Sequence, residues 1–149
     1  MNTACMQMPM RRICICWIMG IARHIVLQAS LGTAAAVDLA SRKECAGIVL
    51  EAAFTSGRDV ANTVLPVIGP VVFRGFDTKS KIANIRAPLL FLHGDRDEII
   101  PLKLGRSLFE AAPEPKWFME IPGAGHNDLV ERAGSSYREM LQEFYDHLQ

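Results

Sequence analysis

Four runs of the chain are almost without polar positions, and each is about as long as a single strand. His24–Leu27, Gly47–Ala52, Pro88–His93 and Trp117–Ile121 are near-continuously apolar. A strand that alternates polar and apolar residues has one wet face; a strand apolar throughout is buried on both. Between these runs the pattern changes to helix. Thr33–Arg42 carries Ala34, Ala35, Ala36, Val37, Leu39 and Ala40, small residues that let a helix pack close to a sheet, and Leu102–Ala112 is a second helix, closed by Pro113. Near the C-terminus Tyr137, Met140, Leu141, Phe144 and Leu148 recur at steps of three and four and give one apolar helix face. Ser136 and Glu139 read as a capping box at its start. Strands alternating with helices predict a parallel sheet covered on both sides, an α/β fold with about four parallel strands.

The stretch Thr55–Phe76 is less regular. Ser56 is placed to cap a helix reaching about Leu65, after which Pro66, Gly69, Pro70 and Gly75 interrupt it. Its apolar residues, among them Val64, Leu65, Ile68 and Phe73, read as core or as a wall over a pocket.

The first twenty residues break with everything after them. They hold five of the seven methionines and three of the four cysteines (Cys5, Cys14, Cys16), and no acidic residue. The division is therefore an atypical segment over 1–20 and one domain over 21–149. Cys14-Ile15-Cys16 lacks the spacing and the histidine partners of a zinc site, and Cys45 stands alone, so reduced thiols and a cytoplasmic setting are expected. The apolar run Ile13–Ala22 is short for a bilayer span, and no small-x-small cleavage site supports a signal peptide, so a membrane partner is not expected. Sixteen basic residues balance sixteen acidic ones without forming a stripe, which argues against a nucleic-acid partner.

Chemistry gathers at the ends of the strands, where α/β sheets place their ligands. Ile25-Val26-Leu27-Gln28-Ala29-Ser30-Leu31-Gly32 delivers a serine on a strand-to-helix turn, the arrangement that lifts a nucleophilic hydroxyl clear of the backbone. After the third strand comes His93-Gly94-Asp95-Arg96-Asp97-Glu98-Ile99-Ile100-Pro101, with Asp95 and Asp97 both candidates for a catalytic acid. After the fourth comes Pro122-Gly123-Ala124-Gly125-His126-Asn127-Asp128. A lone loop Asp or His is usually solvated or capping. Serine, acid and histidine in that chain order at successive strand ends are far more specific.

Gln28-Ala29-Ser30-Leu31-Gly32, His93-Gly94-x-x-Asp97-x-x-Ile100-Pro101 and Gly123-Ala124-Gly125-His126-Asn127 together resemble the C-terminal half of an α/β-hydrolase, over residues 24–149. The branch they look like holds the ABHD and Bem46-like serine hydrolases and the serine aminopeptidase-like lipases. The resemblance implies Ser30 as nucleophile, His126 as general base and Asp97 as the acid that orients it, since the family's acid lies four residues after the histidine of His-Gly. It implies the Leu31 amide as one oxyanion donor, Val64, Leu65, Ile68 and Phe73 as the acyl wall, and a small ester or thioester substrate. It calls for no metal and no organic cofactor. His93 then reads as a structural strand-end residue, and Asp128 and Glu98 as neighbours of the site or exposed residues.

Two departures stand out. Gln28 occupies the glycine position of the Gly-x-Ser-x-Gly pattern. The family also places four strands and a second oxyanion loop before the elbow, where this chain has 20-odd residues, so the upstream strands are expected to be missing. Losing one oxyanion donor typically costs roughly 10²–10³ in turnover. The strand before Ser30 would be left as an apolar sheet edge, a template for a homodimer and for a second function, that of an inactive fragment which self-associates. Reading from the third base of the Met6 codon converts the N-terminal segment into an acidic amphipathic helix ending in glycine, like the helix that precedes the elbow strand in this family. A frameshift over 1–20 is one expectation; a genuine N-terminus, with Arg12–Ile18 forming a strand along the open edge, is the other.

Overall fold

β2 (Gly47–Glu51) and β3 (Leu89–Gly94) form the interior of the sheet, and their side chains are buried from end to end apart from Glu51. The computed structural model describes residues 25–64 and 76–148, with the side chains of Gln28 and Val64 outside that description. β1 (Ile25–Ala29) flanks β2 on one side and β4 (Lys116–Ile121) flanks β3 on the other. The spatial order β1-β2-β3-β4 follows the chain, and all three pairings are parallel. Each crossover is helical: α1 (Gly32–Ala40), then α2 (Gly57–Val64) with α3 (Thr78–Ile82), then α4 (Leu102–Ala111). α5 (Leu129–Ala133) and α6 (Ser135–Asp146) close the chain.

Both faces of the sheet are covered, as the unbroken apolar runs require. On one face Ile48, Leu50, Leu89 and Phe91 pack against Ala36, Val37 and Ala40 of α1, Ile82 of α3 and Leu108 of α4. The rings of Phe91, Phe109 and Phe118 lie 5.3–6.2 Å apart, two of the three contacts edge-to-face, the geometry aromatic quadrupoles favour. On the other face Val49, Leu90 and Leu92 meet Tyr137, Met140, Leu141 and Phe144 of α6. Truncating a side chain as buried as Phe91 costs about 3–5 kcal/mol.

The helix ends show what the apolar pattern leaves out. α2 is capped as expected, the Asp59 amide donating to Ser56 Oγ over 3.1 Å. α3 was not apparent from periodicity, being five residues long; Asp77 caps it by accepting from the Ser80 amide at 3.1 Å. The capping box at Ser136 does not form. Gly134, with φ 56°, takes the N-cap position, so α6 starts at Ser135 and Ser136 is already helical. At the far end of α4, Lys116 Nζ donates to the carbonyls of Phe109 (2.9 Å) and Ala112 (2.7 Å), a cation set against a helix C-terminus.

The N-terminal readings over 1–20, frameshift or edge strand, lie outside the described residues. So do Leu65, Ile68 and Phe73. Among the described residues no helix is long and apolar enough to cross a membrane.

Candidate active site

Three loops leave the C-terminal ends of β1, β3 and β4, and parallel pairing sets those ends along one edge of the sheet, with β2 between β1 and β3. β1 runs two residues beyond its apolar run and turns abruptly at Ser30, whose φ is +54°. A non-glycine residue pays for that left-handed geometry, so the turn must be held by its neighbours. It is: the Ser30 amide donates to the Glu51 carbonyl of β2 (2.9 Å), and the Ser30 carbonyl accepts from the Thr33 amide (3.0 Å) and hydroxyl (2.7 Å). α1 starts two residues on, at Gly32. Leu31 lies between, a residue 56% exposed, and among the described residues its amide finds no backbone acceptor. That donor and the positive end of α1 both sit beside the Ser30 hydroxyl in sequence.

Asp97 is placed by the turn after β3. Its Oδ1 accepts from the amides of Ile99 (2.9 Å) and Ile100 (2.7 Å), leaving Oδ2 for His126. Burial alone would push this carboxyl up. The hydrogen bond from His126 and the two amides outweigh it and hold the group below its ordinary value of 3.8. His93, also buried, steadies the same turn. Its Nε2 lies 2.8 Å from the Ile100 carbonyl and so donates to it, and desolvation keeps the ring's pKa below the usual histidine value. The ring fits against Gly105 of α4, where a methyl group would overlap Nδ1.

His126 bridges the other two. Its Nδ1 is 2.8 Å from Asp97 Oδ2 and its Nε2 is 3.0 Å from Ser30 Oγ. The ionised Asp97 can only accept, so Nδ1 carries the proton and Nε2 is the acceptor for the serine hydroxyl. The histidine loop is pinned at several points. Asp95 Oδ1 accepts from the Gly123 amide (2.6 Å), the Arg96 amide donates to the Ala124 carbonyl (2.9 Å), and Asp128 Oδ1 accepts from the Gly125 amide (2.6 Å). Asp128 is fixed in turn by Arg132, and that ion pair with the Gly125 amide lowers its pKa.

Ser30, Asp97 and His126 are thus brought together, and Asp95, the competing acid, is directed elsewhere. Of the remaining predicted positions, Val64 ends α2, with its side chain undescribed. Sequence reasoning missed the contribution of Glu51, whose apolar strand gave no sign that its carbonyl holds the Ser30 turn. The chemistry this line of contacts permits is proton transfer from the serine hydroxyl through imidazole, with a fixed carboxylate behind it.

A parallel sheet with a serine turn after β1, an acid after β3 and a histidine after β4 is the arrangement of the α/β-hydrolase superfamily, to which the chain belongs by its likeness in sequence to alpha/beta hydrolase domain-containing proteins. In sequence it is similar to the alpha/beta hydrolase domain-containing protein 17C of Homo sapiens, 38% identical over 121 residues that make up 79% of this chain and 35% of that protein. It is likewise similar to the human protein 17B, 39% identical over 120 residues, or 80% of this chain and 40% of that one. No family model matches the chain. Among solved structures, the esterase PF2001 of Pyrococcus furiosus superposes with a TM-score of 0.71 over 84% of this chain and 54% of its own, at 15% identity. A monoacylglycerol lipase of Paleococcus ferrophilus gives 0.64 over 86% and 70%, at 18% identity. These two likenesses carry the fold. The chain spans between 35% and 41% of the length of the curated relatives it matches.

Proposed function

We propose that the chain is a serine hydrolase that cleaves carboxylic esters or acyl thioesters through an acyl-enzyme. The observation that carries this reading is the unbroken line Ser30 Oγ–His126 Nε2, His126 Nδ1–Asp97 Oδ2, built from residues up to 96 positions apart. Ser30 Oγ attacks the acyl carbonyl while His126 Nε2 takes the hydroxyl proton. Asp97 holds the imidazole by Nδ1 and stabilises its cationic form, and the Leu31 amide donates to the developing oxyanion. Collapse of the tetrahedral species returns the proton from His126 to the leaving oxygen or sulfur. His126 then deprotonates a water, which attacks the acyl-serine and frees Ser30. The candidates for the acyl-binding wall are the apolar residues Val64, Leu65, Ile68 and Phe73 of the sequence. The setting in this reading is the cytoplasm, in keeping with the sequence expectation of reduced thiols.

Hydrolysis of p-nitrophenyl acetate and of an acyl thioester by the purified chain tests the reading. Turnover above that of Asp97→Asn and His126→Ala is expected. Folded protein that is no faster than those variants would refute it.

A second reading rests on β1. Among the described residues this strand pairs only with β2, and Ile25, Val26 and Leu27 are half-buried. A second copy adding its own edge there would make a homodimer without need of turnover. Sedimentation that shows a dimer, together with no labelling of Ser30 by a fluorophosphonate, would favour this alternative.

A further inference from the structure

The hydrolase reading uses Ser30, His126 and Asp97, and leaves one half-buried ionisable pair without a task. Tyr137, on α6, donates its phenolic hydrogen to Glu51 Oε1 across 86 positions of sequence. Burial pushes the Glu51 carboxyl above its usual value, partly offset by the phenol. Burial, and then the carboxylate beside it, push the Tyr137 phenol up, so it keeps its proton and remains the donor. Such a pair is an uneconomical way to fasten a helix to a sheet when apolar contacts would serve. Its place in the fold gives it another use.

Glu51 is the last residue of β2, and its backbone carbonyl is the acceptor for the Ser30 amide at 2.9 Å. The peptide that carries this carbonyl continues into Ala52, which like Ser30 is left-handed, with φ +48°. Two non-glycine residues of positive φ therefore meet at one peptide group, and such geometry persists only where the surroundings over-determine it. The Tyr137 contact supplies a constraint from outside the strand. Tyr137 and Leu27 of β1 also flank the same apolar cluster, so α6 and the approach to the elbow share one face of the sheet.

We propose that Tyr137 and Glu51 are positioning residues for the nucleophile: the phenol fixes the Glu51 side chain, and through the Glu51 carbonyl the Ser30 amide, keeping Ser30 Oγ within reach of His126. This rests on the hydrolase reading for its kinetic consequence, but not for its structural one. Neither residue touches the reacting atoms. A small displacement of a nucleophile is enough to slow turnover by one to two orders of magnitude without altering binding.

The test compares the full chain with Tyr137→Phe, Glu51→Gln and Glu51→Leu, measuring kcat and KM for p-nitrophenyl acetate and hydrogen exchange at the Ser30 amide. Tyr137→Phe and Glu51→Leu are expected to lower kcat roughly tenfold, with KM within about twofold, and to speed exchange at Ser30. Glu51→Gln keeps an acceptor oxygen for the phenol and is expected to retain most of both. Unchanged kcat and exchange in a folded Tyr137→Phe would overturn the proposal. So would a Glu51→Gln variant as impaired as Glu51→Leu, which is also the deciding comparison should Tyr137→Phe not fold. If the parent chain has no turnover, the hydrolase reading fails separately, and exchange at Ser30 still decides whether the pair holds the turn.

Discussion

Gly94 and Ala124 stand so close that a methyl group on Gly94 would overlap the Ala124 carbonyl oxygen. Gly94 ends β3, three residues before Asp97, and Ala124 precedes His126 by two. The acid loop and the histidine loop are thus locked together through bare backbone, and their separation fixes the 2.8 Å contact between Asp97 and His126. Gly94→Ala should force the loops apart. The expected result is a loss of about 1–3 kcal/mol in stability from overpacking and a fall of roughly 10²-fold in turnover. Denaturant melts and ester hydrolysis on the same preparation would check both.

Asp95 and Asp97 are two residues apart and do different work. Asp97 meets His126, whereas Asp95 accepts from the Gly123 amide. Asp97→Asn should cost roughly 10⁴-fold in kcat, because the amide favours the wrong imidazole tautomer. Asp95→Asn keeps an acceptor for Gly123 and should stay within about tenfold of the parent. Steady-state kinetics of the two variants would separate the roles, and equal losses would contradict the assignment.

The Asp97 carboxyl also shapes stability against pH. Its pKa in the folded chain lies below the ordinary 3.8, so the native state holds the ionised form more tightly than the unfolded chain does. The stability this adds is complete at pH values above 3.8 and is lost as pH falls through the depressed native value. Asp97→Asn should therefore flatten the acid limb of the stability profile below about pH 4. Urea midpoints measured from pH 6 down to pH 2 on both proteins would show it.

Lys116 joins β4 to the end of α4 through the carbonyls of Phe109 and Ala112, its ammonium lying 4.7 Å from the Phe109 ring centroid. Lys116→Met keeps most of the aliphatic stem and removes the donor. A loss of about 1–2 kcal/mol is expected, with the site left intact. Thermal melts alongside fluorophosphonate labelling would distinguish this from damage to the Ser30–His126–Asp97 line of contacts.

Much of this architecture is legible in the chain because its strands are buried on both faces. Gly47–Glu51 and Leu89–Gly94 carry so few polar side chains that no other element suits them; the first ends one residue before its apolar run, and the second is displaced from its run by one residue at each end. The site is legible for a related reason: Ser30, Asp97 and His126 each follow a strand, and parallel order places strand ends together. Interactions with no period are hidden. α3 is too short for an amphipathic stripe, and its one signal is Asp77 ahead of Ser80. The Ser136–Glu139 pattern misleads because a glycine two residues before Ser136 starts the helix first. Tyr137 reads as one more apolar contact of α6, and only the fold reveals that its hydroxyl reaches Glu51.

The central claim is that Ser30 is a nucleophile activated by His126. Incubating the folded chain with a fluorophosphonate and mapping the adduct by peptide mass spectrometry tests it most directly. The account predicts a single phosphonylated residue, Ser30, with labelling abolished in Ser30→Ala and slowed at least 10³-fold in His126→Ala. Folded chain that stays unlabelled, or that labels equally well in His126→Ala, would contradict it.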